Sequence, residues 1–308
     1  MWIIRDFLRR RKYMIAAGRR MRKLHAVLLS FVLIFSFLIP GCSKLLRMNA
    51  DTHDYTVIHS SQDLFKMIYD TLYRFEEDVY VETSSYDEFM TYWNDLDQQF
   101  ALHSAFRERD IQISRLEKKD VCRIQMHMKF NPCGQAMQYL YAKNVEDYPT
   151  EEAKQVGEAL LAIRNEIITD DMTEEQKTKK IHDYLIMNCA YALDMDAYTY
   201  NDTKSLVNNG LSQCQGYSEA FTALCLLSGL ESHVISGNST FGYGEGAHAW
   251  CQVKVDYIWY HVDVTWDDPI PDQNGAIRYD FYLKGDSMMK QTHEWCPYFE
   301  ECYIDYPL

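Results

Sequence analysis

The chain has 308 residues, of which 47% are hydrophobic and only 13 are glycine and 7 proline. This composition supplies a packed core for one large or two ordinary domains and excludes a largely disordered chain. Acidic residues outnumber basic ones by 45 to 31, and the net charge of −14 argues against nucleic acid as a partner.

The amino terminus has the pattern of a targeting segment. Residues 1–23 carry nine Lys or Arg and one acid, and an uncharged apolar run follows from Ala26 to Pro40. This run is shorter than the roughly 20 residues that span a bilayer. The pattern predicts a signal peptide over residues 1–41. The sequence from Met21 onward is typical of the start of such a signal, which would make residues 1–20 an artefact of an upstream start codon.

The stretch I-P-G-C that ends at Cys42 resembles a bacterial lipobox. The resemblance implies that Cys42 is lipidated and anchors the mature chain at the extracellular face of the cytoplasmic membrane. A plain secretory signal and an uncleaved anchor are the alternatives. Without residues 1–41 the chain keeps 22 basic and 44 acidic residues, a net charge of −22. The basic segment is therefore interpreted as a targeting signal and not as a binding site.

A tether over residues 42–59 precedes a predicted small α+β domain over residues 60–131. Apolar residues at helical spacing predict a helix that opens at Ser61, and a second helix starts at the capping box of Ser85 and Glu88. Residues 79–83, 111–118 and 121–130 are predicted strands. The strict alternation of the last strand leaves His127 on its solvated face and predicts five inward side chains: Cys122, Ile124, Met126, Met128 and Phe130.

The stretch N-P-C-G at 131–134 is a predicted break and domain boundary, so that residues 132–308 form the second domain. Thr150 and the capping box of Thr173 and Gln176 predict two helices, and a third runs from Cys214 to Gly229. The remaining predicted strands are 232–236, 247–256, 259–266 and the F-Y-L stretch near the end. Helices followed by an antiparallel sheet predict an α+β fold.

Cys214 is placed unusually for a cysteine. It stands between two glutamines at the predicted start of a helix and two residues before Gly216. A helix start carries unpaired N–H groups and a partial positive charge, which favour the nucleophilic thiolate. Gly216 lets another backbone approach the same turn. Cys214 is therefore a candidate nucleophile; the alternative is a cysteine merely tolerated at a helix start.

A candidate base and an orienting acid follow from strand alternation. If Asp256 and Tyr257 form a two-residue hairpin turn, residues whose numbers sum to 513 are paired, and His248 lies opposite Thr265. Asp263 is then a diagonal neighbour of His248 on the same face. A shift of the strand register by one residue would place His248 and Asp263 on opposite faces, so the assignment requires that both residues fall on the same face.

Several other histidines and most of the other cysteines are interpreted as structural. His261 shares the face of His248 and is the rival base, while His182 and His293 are interpreted as structural. The chain has no C-x-x-C motif, so no metal site is expected. Most of the remaining cysteines are predicted core thiols, and Cys296 with Cys302 is the most plausible disulfide.

Three blocks in this order resemble the transglutaminase-like core of secreted bacterial proteins: S-Q-C-Q-G-Y-S-E-A-F, G-A-H-A-W-C-Q-V-K-V-D and W-Y-H-V-D-V-T-W-D-D-P. K-I-H-D-Y-L-I-M-N-C-A-Y upstream and Y-D-F-Y-L downstream are also similar to that family. The resemblance implies the fold of papain-like proteases and transglutaminases, with Cys214 as nucleophile, His248 as base and Asp263 as its orienting acid. Tyr191 is placed like a family tyrosine that could donate to the oxyanion.

The resemblance implies a cell-surface enzyme that attacks amide bonds of peptides or proteins, which could include cell-wall peptides, and forms a thioester without a cofactor. Hydrolysis is favoured over crosslinking. A non-catalytic binding module with the same fold and a structural surface protein are the alternatives. Tyr217, Trp250 and Trp266 are candidate walls of the substrate cleft, although core packing is an equal alternative for each.

Overall fold

A computed structural model describes residues 53–99, 106–193, 200–240, 246–271 and 275–307. The predicted signal peptide, Cys42 and most of the tether lie outside these ranges. Within them, no helix combines the length and the apolar composition that a membrane span requires. Residues from Asp54 onward form one compact unit, and the division into domains at residue 131 stays a prediction.

The elements up to residue 142 form helices and a four-stranded sheet, which together are called the amino-terminal layer. In chain order they are β1 (Thr56–Val57), α1 (Ser61–Tyr73), β2 (Asp78–Thr83), α2 (Tyr86–Gln98), β3 (Arg107–Lys118), β4 (Val121–Phe130), α3 (Pro132–Met137) and the π-helical turn Gln138–Ala142.

The elements beyond residue 142 bring helices first and then a second sheet. In chain order they are α4 (Glu151–Ile167), α5 (Glu174–Asn188), β5 (Ala190–Tyr191), α6 (Thr203–Asn209), β6 (Leu211–Ser212), α7 (Cys214–Leu227), β7 (Ser232–Ser239), β8 (Gly246–Val255), β9 (Ile258–Val262), α8 (Val264–Asp267), α9 (Asp286–Met289) and β10 (His293–Trp295). The fold is α+β, as the sequence predicts.

The first sheet has the strand order β1-β2-β4-β3. The predicted alternation of β4 is confirmed, because its five inward side chains are buried. The helix starts also follow the capping signals: Ser60 and Ser85 accept from backbone N–H groups of α1 and α2, and Thr173 with Gln176 forms a complete capping box on α5. The predicted break at 131–134 is instead a helix start, since Asn131 caps α3.

The second sheet has the order β10-β7-β8-β9. Two expectations about it are wrong. The strand predicted over 259–266 ends at Val262, because Asp263 caps the short helix α8. The F-Y-L stretch forms turns and not a strand, and its neighbour Lys284 makes only an isolated bridge to His261. The outer strand β10, which the sequence did not predict, pairs with β7.

A buried acid ties helix α7 to the layer built by the amino-terminal elements. Glu219 accepts from the backbone N–H of Phe106 and from the side-chain amide of Asn131, both at 2.9 Å. Thr203 and Gln215 also donate to this carboxylate. The four donors hold α7 one turn beyond its first residue, and they therefore fix where that helix begins.

The expected disulfide between Cys296 and Cys302 is wrong. Both are free thiols, as are the other six cysteines of the described ranges. Seven of these eight side chains are buried, and Cys214 alone among them is half-buried. This contrast separates Cys214 from the core thiols.

Candidate active site

Cys214 is the first residue of helix α7. The preceding Gln213 has an extended backbone and its side chain does not cap the helix, while the Asn201 Oδ1 accepts from the N–H of Gln215 at 3.0 Å. The positive end of the helix thus lies at the thiol, where it favours a negative charge. The structure confirms the predicted helix start, although the helix ends at Leu227, before Gly229.

Gly216 allows a second chain segment to pass the same turn. A Cβ atom at this position would lie 2.0 Å from the Ser212 Oγ and 2.5 Å from the backbone oxygen of Asp202. Real side chains do not tolerate such distances, and one of the close atoms is backbone. The glycine beside the cysteine is therefore explained by the close approach of the segment that leads into α6.

The substitution Gly216→Ala is expected both to destabilise the protein and to disturb the position of Cys214. The added methyl must push the start of α7 away from Asp202, at a cost of about 1–3 kcal/mol. Urea unfolding measures the stability, and the alkylation rate of Cys214 reports the site. A variant with the stability and the thiol reactivity of the wild type would contradict this explanation of Gly216.

The hairpin of β8 and β9 has the predicted register. Val255 pairs with Ile258 and the ladder continues to Cys251 and Val262. Asp256 and Tyr257 both have positive φ angles, 51° and 71°, which is the conformation of a type I′ turn. The parity required by the sequence argument is therefore confirmed.

The pairing of His248 with Thr265 is not formed, since β9 ends at Val262 and the chain turns into α8. The turn nevertheless leaves Asp263 within reach of His248: its Oδ2 lies 2.7 Å from the His248 Nε2. Its Oδ1 accepts the backbone N–H of Trp266 at 3.1 Å. One carboxylate thus caps α8 and holds the histidine.

The electrostatics of this pair favour the imidazolium form of His248. Burial alone would lower the pKa of His248, but the Asp263 carboxylate and the hydrogen bond to the Cys214 side chain raise it to about 10. Burial would also raise the pKa of Asp263, yet the two histidines bonded to it, His248 and His293, hold that pKa well below its usual range. The arrangement can therefore stabilise a thiolate and imidazolium pair.

A second histidine, which the sequence argument assigned to structure, contacts the same acid. The His293 Nε2 lies 3.1 Å from the Asp263 Oδ2, and both side chains are fully buried. Its strand β10 is only three residues long. No periodicity could reveal so short a strand, so no sequence signal placed His293 at the site.

The three aromatic residues proposed for the cleft differ in burial. Trp250 and Tyr217 are fully buried, so their assignment to the cleft is wrong. The Trp250 indole donates to His261 at 3.0 Å, and the Tyr217 hydroxyl donates to Asp268 at 2.6 Å. Trp266 is half-buried and its ring lies 5.4 Å from the His248 ring. Of the three, only Trp266 could contact a substrate.

Tyr191 lies in β5, which pairs with β6 immediately before Cys214. Burial, together with the charges of Cys214 and Asp263, raises the pKa of Tyr191 to about 12. Its hydroxyl is therefore protonated at neutral pH and lies near the thiol. It remains a candidate donor to an oxyanion.

Three other histidines of the described ranges make contacts away from Cys214. His261 is fully buried and its Nε2 lies 3.0 Å from Asp286; burial lowers its pKa. His182 lies buried between Asp183 and Asp267. His127, on the solvated face of β4, contacts Asp78 at 3.1 Å. None of these contacts involves Cys214.

Two clusters in the described ranges bring three potential metal ligands within 4.8 Å of one another: His248 with Asp263 and His293, and His261 with Asp286 and Cys302. In both clusters a histidine Nε2 is bonded to the shared carboxylate at 2.7–3.1 Å. Hydrogen bonds between the residues therefore account for these geometries without an ion.

The chain is similar to known proteins over part of its length. It is 25% identical over 120 residues to kyphoscoliosis peptidase of Homo sapiens, and this match covers 35% of this chain and 18% of the relative. It thus spans about a fifth of that relative's length. Among solved structures it is similar to a TGase (14% identity, TM-score 0.32, covering 68% of this chain and 59% of the other). A second is a putative cysteine protease from Cytophaga hutchinsonii (11%, 0.32, covering 55% and 65%).

Residues 161–264 match the family model of the transglutaminase-like superfamily. This segment contains the three residues that the geometry brings together, Cys214, His248 and Asp263. The chain therefore contains a transglutaminase-like core that includes residues 161–264.

Proposed function

We propose that the protein is a cysteine acyl-transfer enzyme that acts on amide bonds of peptides or proteins. One observation carries the proposal. A thiol at a helix start is hydrogen-bonded to His248, whose Nε2 lies 2.7 Å from the buried Asp263. A nucleophile, a base and an orienting acid in this order form the arrangement that activates a cysteine.

The proposed reaction follows from the two nitrogens of His248. Asp263 binds Nε2, which leaves Nδ1 for the Cys214 thiol. The Cys214 thiolate attacks the amide carbonyl, and the backbone N–H groups of the first turn of α7 and the Tyr191 hydroxyl stabilise the oxyanion. The His248 imidazolium then gives its proton to the departing amine, the C–N bond breaks and a thioester forms.

The thioester has two fates. Water attacks it in hydrolysis and releases a carboxylic acid, whereas a primary amine gives a new amide; in both cases His248 accepts the proton of the attacking group. We propose hydrolysis as the main reaction, because the resemblance to the core of secreted bacterial proteins implies a peptidase or amidase. Peptides or proteins at the cell surface, cell-wall peptides among them, are the proposed substrates.

The test combines thiol labelling with turnover. Among the cysteines, Cys214 is expected to react fastest with iodoacetamide near neutral pH. Cys225 of the same helix is the internal control, because burial raises the pKa of its thiol well above the ordinary value. Peptide amides are then incubated with and without a primary amine, and the free acid and the new amide are separated by mass spectrometry. Equal labelling of both cysteines with no turnover would favour the binding-module alternative.

We further propose that Cys42 is lipidated and anchors the protein to the outer face of the membrane. The support is the lipobox-like I-P-G-C after a basic and apolar segment. In a bacterial host, the full chain is expected to partition into detergent with the membrane fraction, and Cys42→Ala is expected to abolish this partition. Recovery of unlipidated wild-type protein from the medium would refute the anchor.

A further inference from the structure

The Asp263 carboxylate accepts three hydrogen bonds from three different elements. His248 of β8 and His293 of β10 both contact Oδ2, at 2.7 and 3.1 Å, and the Trp266 N–H of α8 contacts Oδ1. A carboxylate that only oriented one histidine would need one of these donors. The two histidines therefore compete for the lone pairs of one oxygen.

The ring of His293 is held in the orientation that this contact requires. Its Nδ1 lies 2.9 Å from the Thr292 hydroxyl. A hydroxyl that donates to Nδ1 leaves the proton on Nε2, which points at Asp263. The ring centroid lies 4.6 Å from that of Trp266 and 4.7 Å from that of Trp250. The side chain is fully buried, so that water cannot take its place without unpacking the core.

We propose that His293 is a positioning residue of this site: its Nε2–H fixes the Asp263 carboxylate and limits how strongly that carboxylate holds His248. The role of His293 in catalysis rests on the proposed function, whereas its effect on the pKa of His248 does not. The sequence blocks that resemble the family end before residue 293, and the matched segment ends at residue 264.

The physical reason is charge sharing. A donor on Oδ2 draws negative charge away from the bond to the His248 Nε2 and weakens the attraction for its proton. Without His293 the carboxylate would bind the imidazolium more tightly, and the pKa of His248, about 10 with all partners in place, would rise further. A base is most useful when its pKa lies near the working pH. His293 therefore keeps His248 from holding its proton too tightly to act as a base.

Other titratable groups around this pair come from several elements. Those with charge interactions or bonds to His248, Asp263 or His293 are Cys214 of α7, Tyr191 of β5, Cys251 of β8, His261 of β9 and Asp267 of α8. All of them are retained in a variant that changes only residue 293. A shift in such a variant therefore reports the loss of the His293 donor.

The experiment follows the ring nitrogens of His248 by NMR in protein labelled with 15N-histidine, as the pH is raised. His293→Phe keeps an aromatic ring between the tryptophans but removes the donor, and the His248 midpoint is expected to rise by roughly half to one pH unit. His293→Gln retains a side-chain N–H and should restore much of the wild-type midpoint. His127 on β4 serves as the reference, because its signals should be the same in every variant at each pH.

A folded His293→Phe protein with the wild-type midpoint would overturn the inference, as would a Gln variant that shifts like the Phe variant. If the Phe variant does not fold, Thr292→Val removes the hydroxyl that sets the tautomer, and it should move the midpoint in the same direction; no movement would also refute the proposal. Failure of the proposed function is a different result, namely a wild-type Cys214 that reacts no faster than Cys225 and turns over no amide.

Discussion

Replacement of Cys214 by alanine is expected to abolish turnover of peptide amides while the protein stays folded. The thiol is half-buried and its described partner is His248, so that little packing is lost. Without the sulfur no thioester can form. The expected fall in kcat is on the order of 10⁶-fold, the loss measured when the nucleophile of another triad is removed.

His248→Ala should reduce turnover to a similar level, and it should also slow alkylation of Cys214, because the imidazolium no longer stabilises the thiolate. Cys189→Ala is the matched control. Burial raises the pKa of Cys189 to about 12, so this thiol is not ionised at neutral pH and turnover should persist. Single-turnover kinetics with a peptide amide make the comparison. Full activity in Cys214→Ala would show that another residue attacks the substrate.

Asp263→Asn is expected to lower kcat on the order of 10⁴-fold, the loss measured for the same change in a serine-protease triad. The substitution removes the charge that stabilises the His248 imidazolium. A loss of stability is also expected, because the carboxylate accepts three hydrogen bonds and the amide –NH₂ of asparagine must then face at least one N–H group, at a cost of about 1–3 kcal/mol.

The stability loss should also depend on pH. The pKa of Asp263 is lower in the folded state, so the charged carboxylate stabilises the wild type fully above the ordinary aspartate pKa of about 3.9. This contribution is lost as the pH falls toward the folded-state value. Urea unfolding at several pH values should show it in the wild type but not in the asparagine variant. An Asp263→Asn enzyme with wild-type kcat would refute the role of the acid.

The control histidine must be chosen from the structure. His261 shares the predicted face of His248 and lies outside the triad, but His261→Gln would be a poor control. Its ring is fully buried between Trp250 and Asp286, so that substitution would disturb the core. His127→Gln is the better control, because that side chain is 33% exposed. It should retain wild-type kcat.

The site was largely predictable because its key contact depends on strand parity. A two-residue turn at Asp256 and Tyr257 determines which residues of β8 and β9 face the same way. His248 and Asp263 therefore lie on the same side, as predicted, even though β9 ends at Val262. Val262 and Val264 continue the alternation of a strand, and periodicity therefore could not show that Asp263 turns the chain into α8.

The rest of the site depends on contacts that sequence patterns do not carry. His293 reaches Asp263 through pairing of β10 with β7, more than 50 residues earlier in the chain. Trp250 and Tyr217 are aromatic residues near the triad in sequence, but their indole and hydroxyl groups are satisfied inside the core. Only the packed structure distinguishes them from Trp266, which remains half-exposed.

The buried carboxylate of Glu219 has a consequence for how the protein can be truncated or fused. Two of its four donors, Phe106 and Asn131, precede the matched segment by some 30 residues or more, and burial raises its pKa. A fragment limited to residues 161–264 would expose this acid and free the first turns of α7. Engineers who transplant the catalytic segment should therefore carry the amino-terminal layer with it, because the nucleophile's helix is anchored in that layer.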